Sequence, residues 1–395
     1  MHIGEVKTTE QADGQRRLTA TVRYDDGGSD DYWFAMPAEM PAPDSANAWL
    51  ALMLPLAAAT GEDIHVDMPV DAYLLQNAEA LRKLWSAWFP GKTKGFEVHA
   101  PVMEAAGPAP AALSTFTAGV DAFFTVLRHP ECKHYLNVLG LDMPLSKADA
   151  FERHFARLTR VAREMGAEMI PLTTNLRETR WGKLPWETFA SGAALGSCLL
   201  IFERQFGTAL LPSSFDYRTL MPWGTHPLSD PMYSTSRMRI LHDGASHSRN
   251  EKTEYIVAHQ VVLENLHVCF QGEDGSGQDD SNCCRCSKCY RTMVVLDILG
   301  KLKDCPMFDL SRYSVEQLAR LDTTSPVAQS FFLDTRALAL EHGRTDIVES
   351  IDRSLALSRW VKKFDRFAGK TFLWRLPYHL RRRAFRGFVT LDRKQ

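Results

Sequence analysis

The stretch Ala112–Leu127, ALSTFTAGVDAFFTVL, sets the reading of the whole chain. Up to Phe116 it is apolar and β-capable. Thr117-Ala118-Gly119-Val120-Asp121 is a turn of small residues, and beyond it Phe123, Phe124 and Leu127 fall on one face of a helix. A strand that turns through small residues into a helix N-terminus makes an anion site. Backbone N–H groups approach the ligand there, and the helix dipole favours negative charge. Asp121 stands near the first helical turn, suited to capping it or to facing a metal ion. A plain strand–turn–helix, with Ala118 and Gly119 in a tight packing contact, fits the same residues.

Downstream the pattern repeats. Tyr135–Leu141, Glu168–Leu172, Ala209–Ser213 and Arg237–Asp243 read as strands, and Lys147–Met165 and Phe189–Phe202 as helices. Such alternation predicts an α/β fold, a parallel sheet sandwiched by helices, with ligands at the carboxyl ends of the strands. Thr117–Asp121, Thr173–Arg177 and Asp243-Gly244 would lie there, which makes Asn175 and Arg177 candidates for nucleotide or substrate. The irregular Asp216–Ser236 stretch is long for a compact domain. It adds Gly224, His226 and Asp230 as weaker substrate-side candidates, with His242 and Asp243 beyond it. A surface excursion explains that stretch as well, and a lone His is more often a structural donor than a catalyst.

Upstream, Arg16–Asp25 and Asp31–Ala35 read as a hairpin across Asp26–Gly28. Ser45 is placed to cap an apolar helix, Ala46–Ala59, kinked or interrupted at Pro55. Asp63–Met68 and Gly95–Ala100 read as strands, and Val70–Trp88 as an amphipathic helix. Residues 1–107 are therefore expected to form a separate α/β module, joined to the rest through Ala105–Pro110. His65, Asp67 and Asp71 are better explained by helix capping and solvated strand positions than by a metal.

Four of the eight cysteines fall within Cys283–Cys289, after Cys269. Cys269, Cys283, Cys286 and Cys289 match a closed tetrahedral Zn²⁺ site of soft ligands, and the two Cys-x2-Cys steps let the backbone fold round one ion. An iron–sulfur cluster or metal-free thiols are the other readings of those ligands. Cys284 is the spare, and Cys132, Cys198 and Cys305 read as buried thiols. Clustering of this kind points to metal binding in a reducing cytoplasm. Cys289 opens an apolar helix over Tyr290–Leu302.

Thr117-Ala118-Gly119-Val120-Asp121-Ala122 resembles the pyrophosphate loop, SGGxDS, of the N-type ATP pyrophosphatases (PP-loop, adenine nucleotide alpha-hydrolase-like proteins). Ala118 stands where the first Gly is usual, Ala122 where a Ser is usual, and Thr117 keeps the hydroxyl. Lys252–Glu254, Cys269 and Cys283–Cys289 follow the order of the 7-cyano-7-deazaguanine synthase family. In that family a lysine segment opens a helix and a lone Cys precedes a Cys-Gly-x-Cys-x2-Cys zinc knuckle. Here Cys284 replaces the Gly, and Cys269-Phe270 stands for Cys-Tyr. Gly224–Asp230 is loosely similar to the family's Ser-Gly-Tyr-Pro-Asp-Cys-Arg segment. The resemblance covers roughly Ala112–Leu302.

The resemblance implies a Rossmann-like PP-loop domain over 108–308, with a four-cysteine zinc knuckle. It implies ATP with its triphosphate over Thr117–Ala122, Mg²⁺ held partly by Asp121, and Lys252 on the phosphates with Arg249 assisting. The implied activity is adenylation of a carboxylate or carbonyl oxygen, release of pyrophosphate and attack by ammonia or an amine: an ATP-dependent, C–N bond-forming ligase or synthase. The alternatives are a tRNA-modifying PP-loop enzyme and a nucleotide-binding, zinc-stabilised scaffold without turnover. Substrates in view are a small-molecule or a peptide or protein carboxylate, and a homodimer is compatible with the pattern.

Composition narrows this. A chain of 395 residues has room for two or three domains, and 46 Lys and Arg against 48 Asp and Glu leave no global pull toward nucleic acid. Met1–Glu5 lacks the basic start and apolar core of a secretory leader, no apolar run reaches transmembrane length, and a cytoplasmic location is expected. Gly272–Ser281 is acidic, Gly-rich and expected to be mobile. Residues 309–395 read as a helical region that turns basic and aromatic from Arg359. That tail could meet an acidic partner or anionic membrane, hold nucleic acid, or fold its aromatic residues back onto the core, which is the favoured reading.

Overall fold

The computed structural model describes residues 1–104, 106–269 and 281–368. Residues 272–280 of the acidic, Gly-rich segment lie outside the described residues, as do Phe270 and the basic tail beyond Ala368. The chain divides into two compact units. One joins Met1–Thr117 with Thr125–Ser246, and the other joins Ala118–Phe124 with His247–Gln395.

The first unit holds every strand among the described residues. In chain order its elements are β1 (His2–Ile3), β2 (Lys7–Glu10), β3 (Gln15–Arg23), β4 (Ser29–Pro37), α1 (Asn47–Thr60), β5 (Ile64–Val66), β6 (Val70–Asp71), α2 (Ala72–Trp88), β7 (Val98–His99), β8 (Val102–Met103) and β9 (Ala111–Thr115). There follow α3 (Val120–Arg128), which both units share, then β10 (His134–Leu139), α4 (Ala148–Glu164), β11 (Glu168–Thr174), α5 (Ser191–Leu200), β12 (Phe206–Pro212) and β13 (Arg239–Asp243). The main sheet runs β13-β12-β9-β10-β11-β4-β3-β1-β5-β7, with β2 on β3. β13, β12, β9, β10 and β11 are mutually parallel, as their alternation with helices predicts. The fold is α/β, with a mostly parallel central sheet flanked by helices.

The expected hairpin forms, with β3 and β4 antiparallel from Gln15↔Pro37 to Arg23↔Ser29. Its strands do not stop at a module edge: β4 pairs antiparallel with β11 through Thr173↔Ala35 and Thr174↔Phe34. Asn175 extends that pairing by one step with its side chain. It accepts from Trp33 N at 3.0 Å and donates to the Asp31 carbonyl at 2.8 Å. One core passes under all of these strands and includes Leu18, Phe34, Trp49, Leu113, Leu136, Ile170 and Leu200. Cutting a side chain such as Leu113 to Ala there costs about 2–5 kcal/mol.

Two local expectations are corrected. Ser45 is not the N-cap residue of α1, which is Ala46, but its Oγ accepts from Asn47 N at 3.4 Å at the helix start, while its hydroxyl donates to the buried Glu203, which also receives Asn47 and Thr235. Pro55 does not interrupt α1, which runs unbroken to Thr60 and is buried on all sides through Ala58. Asp71 caps α2 by accepting from Tyr73 N and Leu74 N, Asp67 pairs with His2, and His65 stacks on His99. Those contacts show Asp71 as a cap and His65 at an exposed strand position.

The second unit is helical: α6 (Arg249–Ile256), α7 (Gln260–Asn265), α8 (Ser287–Ile298), α9 (Pro326–Glu341) and α10 (Thr345–Ala368). Its core gathers Tyr290, Val294, Leu318, Phe332, Ile347 and Ile351. Among the described residues no helix is long and apolar enough to cross a membrane.

Candidate functional site

The residues that follow β9 form a tight turn. Ala118 has φ +57°, a left-handed backbone that disfavours any residue with a Cβ. Its carbonyl accepts from His267 N at 2.9 Å, and Phe123 N closes the first turn of α3 on the Gly119 carbonyl. The first amides of a helix have no partner within it, so the N-terminus of α3 offers the donors an anion needs.

Asp121, in that first turn, is brought together with Arg249 and Lys252, all three within the second unit. Arg249 donates to Asp121 Oδ2 at 2.7 Å and Lys252 Nζ to Oδ1 at 3.2 Å. The two cations stand one helical turn apart on α6, so both reach the same carboxylate. Ser248 starts α6 with a capping box: its hydroxyl accepts from Glu251 N while the Glu251 carboxylate accepts from Ser248 N. The Lys252 side chain is 1 % exposed, with its ammonium 5.8 Å from the centroid of Phe124. Burial pushes the Asp121 carboxyl up, but the charges of Arg249 and Lys252 outweigh it and hold the group below its ordinary value. The result is a half-buried carboxylate with a cation on each oxygen, next to a helix N-terminus. A phosphate group could take the place of Asp121 on the same two cations.

The four expected cysteines also converge. Cys269, Cys283, Cys286 and Cys289 are buried, with their sulfurs all within 4.8 Å of one another. Cys283–Cys289 measures 3.7 Å, and Cys286 lies 3.6 Å from both Cys269 and Cys289. A tetrahedron of sulfurs at Zn–S bonds of about 2.3 Å has edges close to these separations. The turn aims amides at the sulfurs: Cys286 N donates to Cys283 Sγ and Cys289 N to Cys286 Sγ. Hydrogen bonds from the Cys269, Cys286 and Cys289 thiols hold the Cys283 thiol far below its ordinary range. The group could hold a metal such as zinc.

Cys284 is outside the cluster, as its position beside Cys283 suggests. It has φ +53°, its thiol donates to the Asn282 carbonyl, and it accepts from Asp309 N. Asn282, which sequence reasoning passed over, ties the knuckle down by accepting from Val268 N and donating to the carbonyls of Leu266 and Met307. Nothing in its neighbourhood marks it, because its partners are backbone atoms distant in the chain. Cys132, Cys198 and Cys305 are buried free thiols, as expected.

No family model matches the chain, and no curated protein or solved structure matches it. The remaining candidates therefore stand on their own contacts.

Those candidates lie in the first unit. Asn175 gives both side-chain groups to β4. Arg177 donates to the Leu141 carbonyl and stacks over Trp186 at 4.5 Å. The structure brings His226, Asp230 and His242 together. Asp230, fully buried, accepts from His226 N at 3.0 Å and pairs with His242 Nδ1 at 2.7 Å. His226 Nδ1 accepts from Leu228 N, which leaves the proton on Nε2. Gly224 gives its carbonyl to Gly192 N, and a Cβ on Gly224 would meet Ser191 Oγ at 2.2 Å. Asp243 instead accepts from Thr125 Oγ1 and faces His129 Nε2.

Proposed function

We propose that the chain is a divergent PP-loop ATP pyrophosphatase, similar to the 7-cyano-7-deazaguanine synthase family. It would adenylate a carboxylate or carbonyl oxygen, release pyrophosphate and pass the activated group to ammonia or an amine. One observation carries the proposal. Within the loop and the knuckle, the two places where the family pattern has Gly and this chain does not are Ala118 and Cys284, and these are the two non-glycine residues with positive φ among the described residues. A left-handed backbone at both supports a loop and a knuckle that keep the family's turn geometry after losing its glycines.

In this reading ATP places its phosphates over the N-terminus of α3. Arg249 and Lys252 leave Asp121 for phosphate oxygens and neutralise the charge that builds as pyrophosphate departs. Lys252 acts from a buried position beside Phe124, where little water screens it. Asp121, released from the cations, is the carboxylate suited to Mg²⁺, which would supply further neutralisation of the phosphates. Zn²⁺ on Cys269, Cys283, Cys286 and Cys289 would be structural, since four sulfurs close the tetrahedron and leave no open position.

A second reading has its own support. Ala122 brings no hydroxyl to the phosphates, and both Asp121 oxygens are engaged. That favours nucleotide binding without turnover. The deciding experiment supplies zinc-loaded protein with ATP, Mg²⁺, ammonium and a panel of carboxylates, and follows AMP and pyrophosphate. Stoichiometric release of both supports the enzyme. ATP binding without AMP leaves the scaffold, and no ATP binding removes both readings.

A further inference from the structure

We propose that the last three turns of α10 dock on an anionic lipid surface. Trp360, Phe364 and Phe367 follow one another at helical spacing and form a single stripe. Trp360 is 62 % and Phe367 59 % exposed. Arg359, Lys363 and Arg366 form a second stripe one residue behind the first, all three exposed. The opposite face of the helix, with Ile351, Leu355 and Val361, is buried, so α10 is anchored on one side and presents the aromatic and basic stripes on the other.

The charge pattern selects the partner. From Arg359 to Gln395 there are twelve Lys and Arg against two Asp, in a chain whose formal net charge is −2. A segment so far from the balance of its own chain is drawn to an anionic surface. The arrangement of the rings favours lipid over nucleic acid. Trp360 and Phe364 are stacked on each other, with centroids 5.9 Å apart and planes 8° from parallel. Rings stacked this way present a continuous apolar edge. Such an edge suits burial at the headgroup–acyl boundary, whereas bases need open ring faces.

The test is vesicle flotation of the full chain with phosphatidylcholine alone and with phosphatidylglycerol added. Recovery with the anionic vesicles only, falling as salt is raised, is expected. Trp360→Ser with Phe367→Ser should weaken binding at least about tenfold, because it removes the inserted apolar surface. Trp360→Phe should retain binding. Lys363→Glu with Arg366→Glu should weaken it to a similar degree and does not touch the buried face, which keeps the test decisive if the first pair fails to fold. Equal recovery on neutral vesicles, anionic binding unchanged in both double variants, or binding to RNA with none to vesicles would each overturn the proposal.

Discussion

Two turns in the second unit are made alike and held differently. Ala118 and Cys284 each force a side chain into left-handed backbone, and each turn leads into a helix. At Cys284 the neighbouring sulfurs converge within bonding distance of one ion, and Asn282 fastens the flanks to Leu266, Val268 and Met307. At Ala118 the carbonyl accepts from the His267 amide, Asn137 fastens the flank at Phe116, and the nearby charges hold one another. The knuckle is thus built to stay closed. The loop keeps its charges in an arrangement that a competing anion could open.

The contrast sets the order of expected effects. The largest belongs to the knuckle. Structural zinc contributes about 10–16 kcal/mol to small folds at neutral pH, so Cys286→Ser or a strong chelator should abolish cooperative unfolding of the second unit in calorimetry. An unchanged transition with full loss of metal would place the stability of the knuckle elsewhere. Next comes the loop's ion group. Asp121→Asn removes the carboxylate that accepts from both Arg249 and the buried Lys252 and should cost about 1.5–3 kcal/mol in urea denaturation. Lys252→Met should cost clearly less, because Arg249 still neutralises Asp121. Equal costs would show that the pair does not act as described.

Smaller effects compare the two turns directly. Ala118→Gly should stabilise the protein by about 1–2 kcal/mol through relief of left-handed backbone. Cys284→Gly should gain less, because it also gives up the sulfur that accepts from Asp309 N. Destabilisation by Ala118→Gly would mean that the methyl group packs too well to lose. The smallest effect is on pH dependence. The Asp121 carboxyl is held below its ordinary value, so its contribution is complete above the ordinary carboxylate range. It fades as pH falls through the lowered value. The stability curves of the wild-type protein and Asp121→Asn should therefore converge in acid and separate as pH rises.

What can be read from the residues follows from how far apart the partners lie. The strands from Ala112 to Asp243 and the four clustered cysteines announce themselves through local spacing. The continuation of the sheet through β4 and β3 does not, because the register Thr174↔Phe34 joins residues that no periodicity connects. Ser45 is legible as a helix-start residue, since it takes the Asn47 amide, but its bond to Glu203 is not, because that carboxylate is remote in sequence. The pairing of Arg249 and Lys252 with one acid is half legible. Their spacing puts both on one face of α6, but nothing local says that Asp121 meets them. Asn175 and Arg177 look like ligand contacts because a strand end is where ligands gather. Their side chains are committed to β4, Leu141 and Trp186.

The central claim is that the turn at Ala118 and the cations on α6 make a phosphate cradle. It is tested most directly by calorimetric titration of the zinc-loaded protein with ATP and Mg²⁺, alongside Lys252→Met. The account predicts saturable binding, weakened at least about tenfold by the substitution through loss of a charge-assisted contact. No saturable heat, or the same affinity in both proteins, would contradict it.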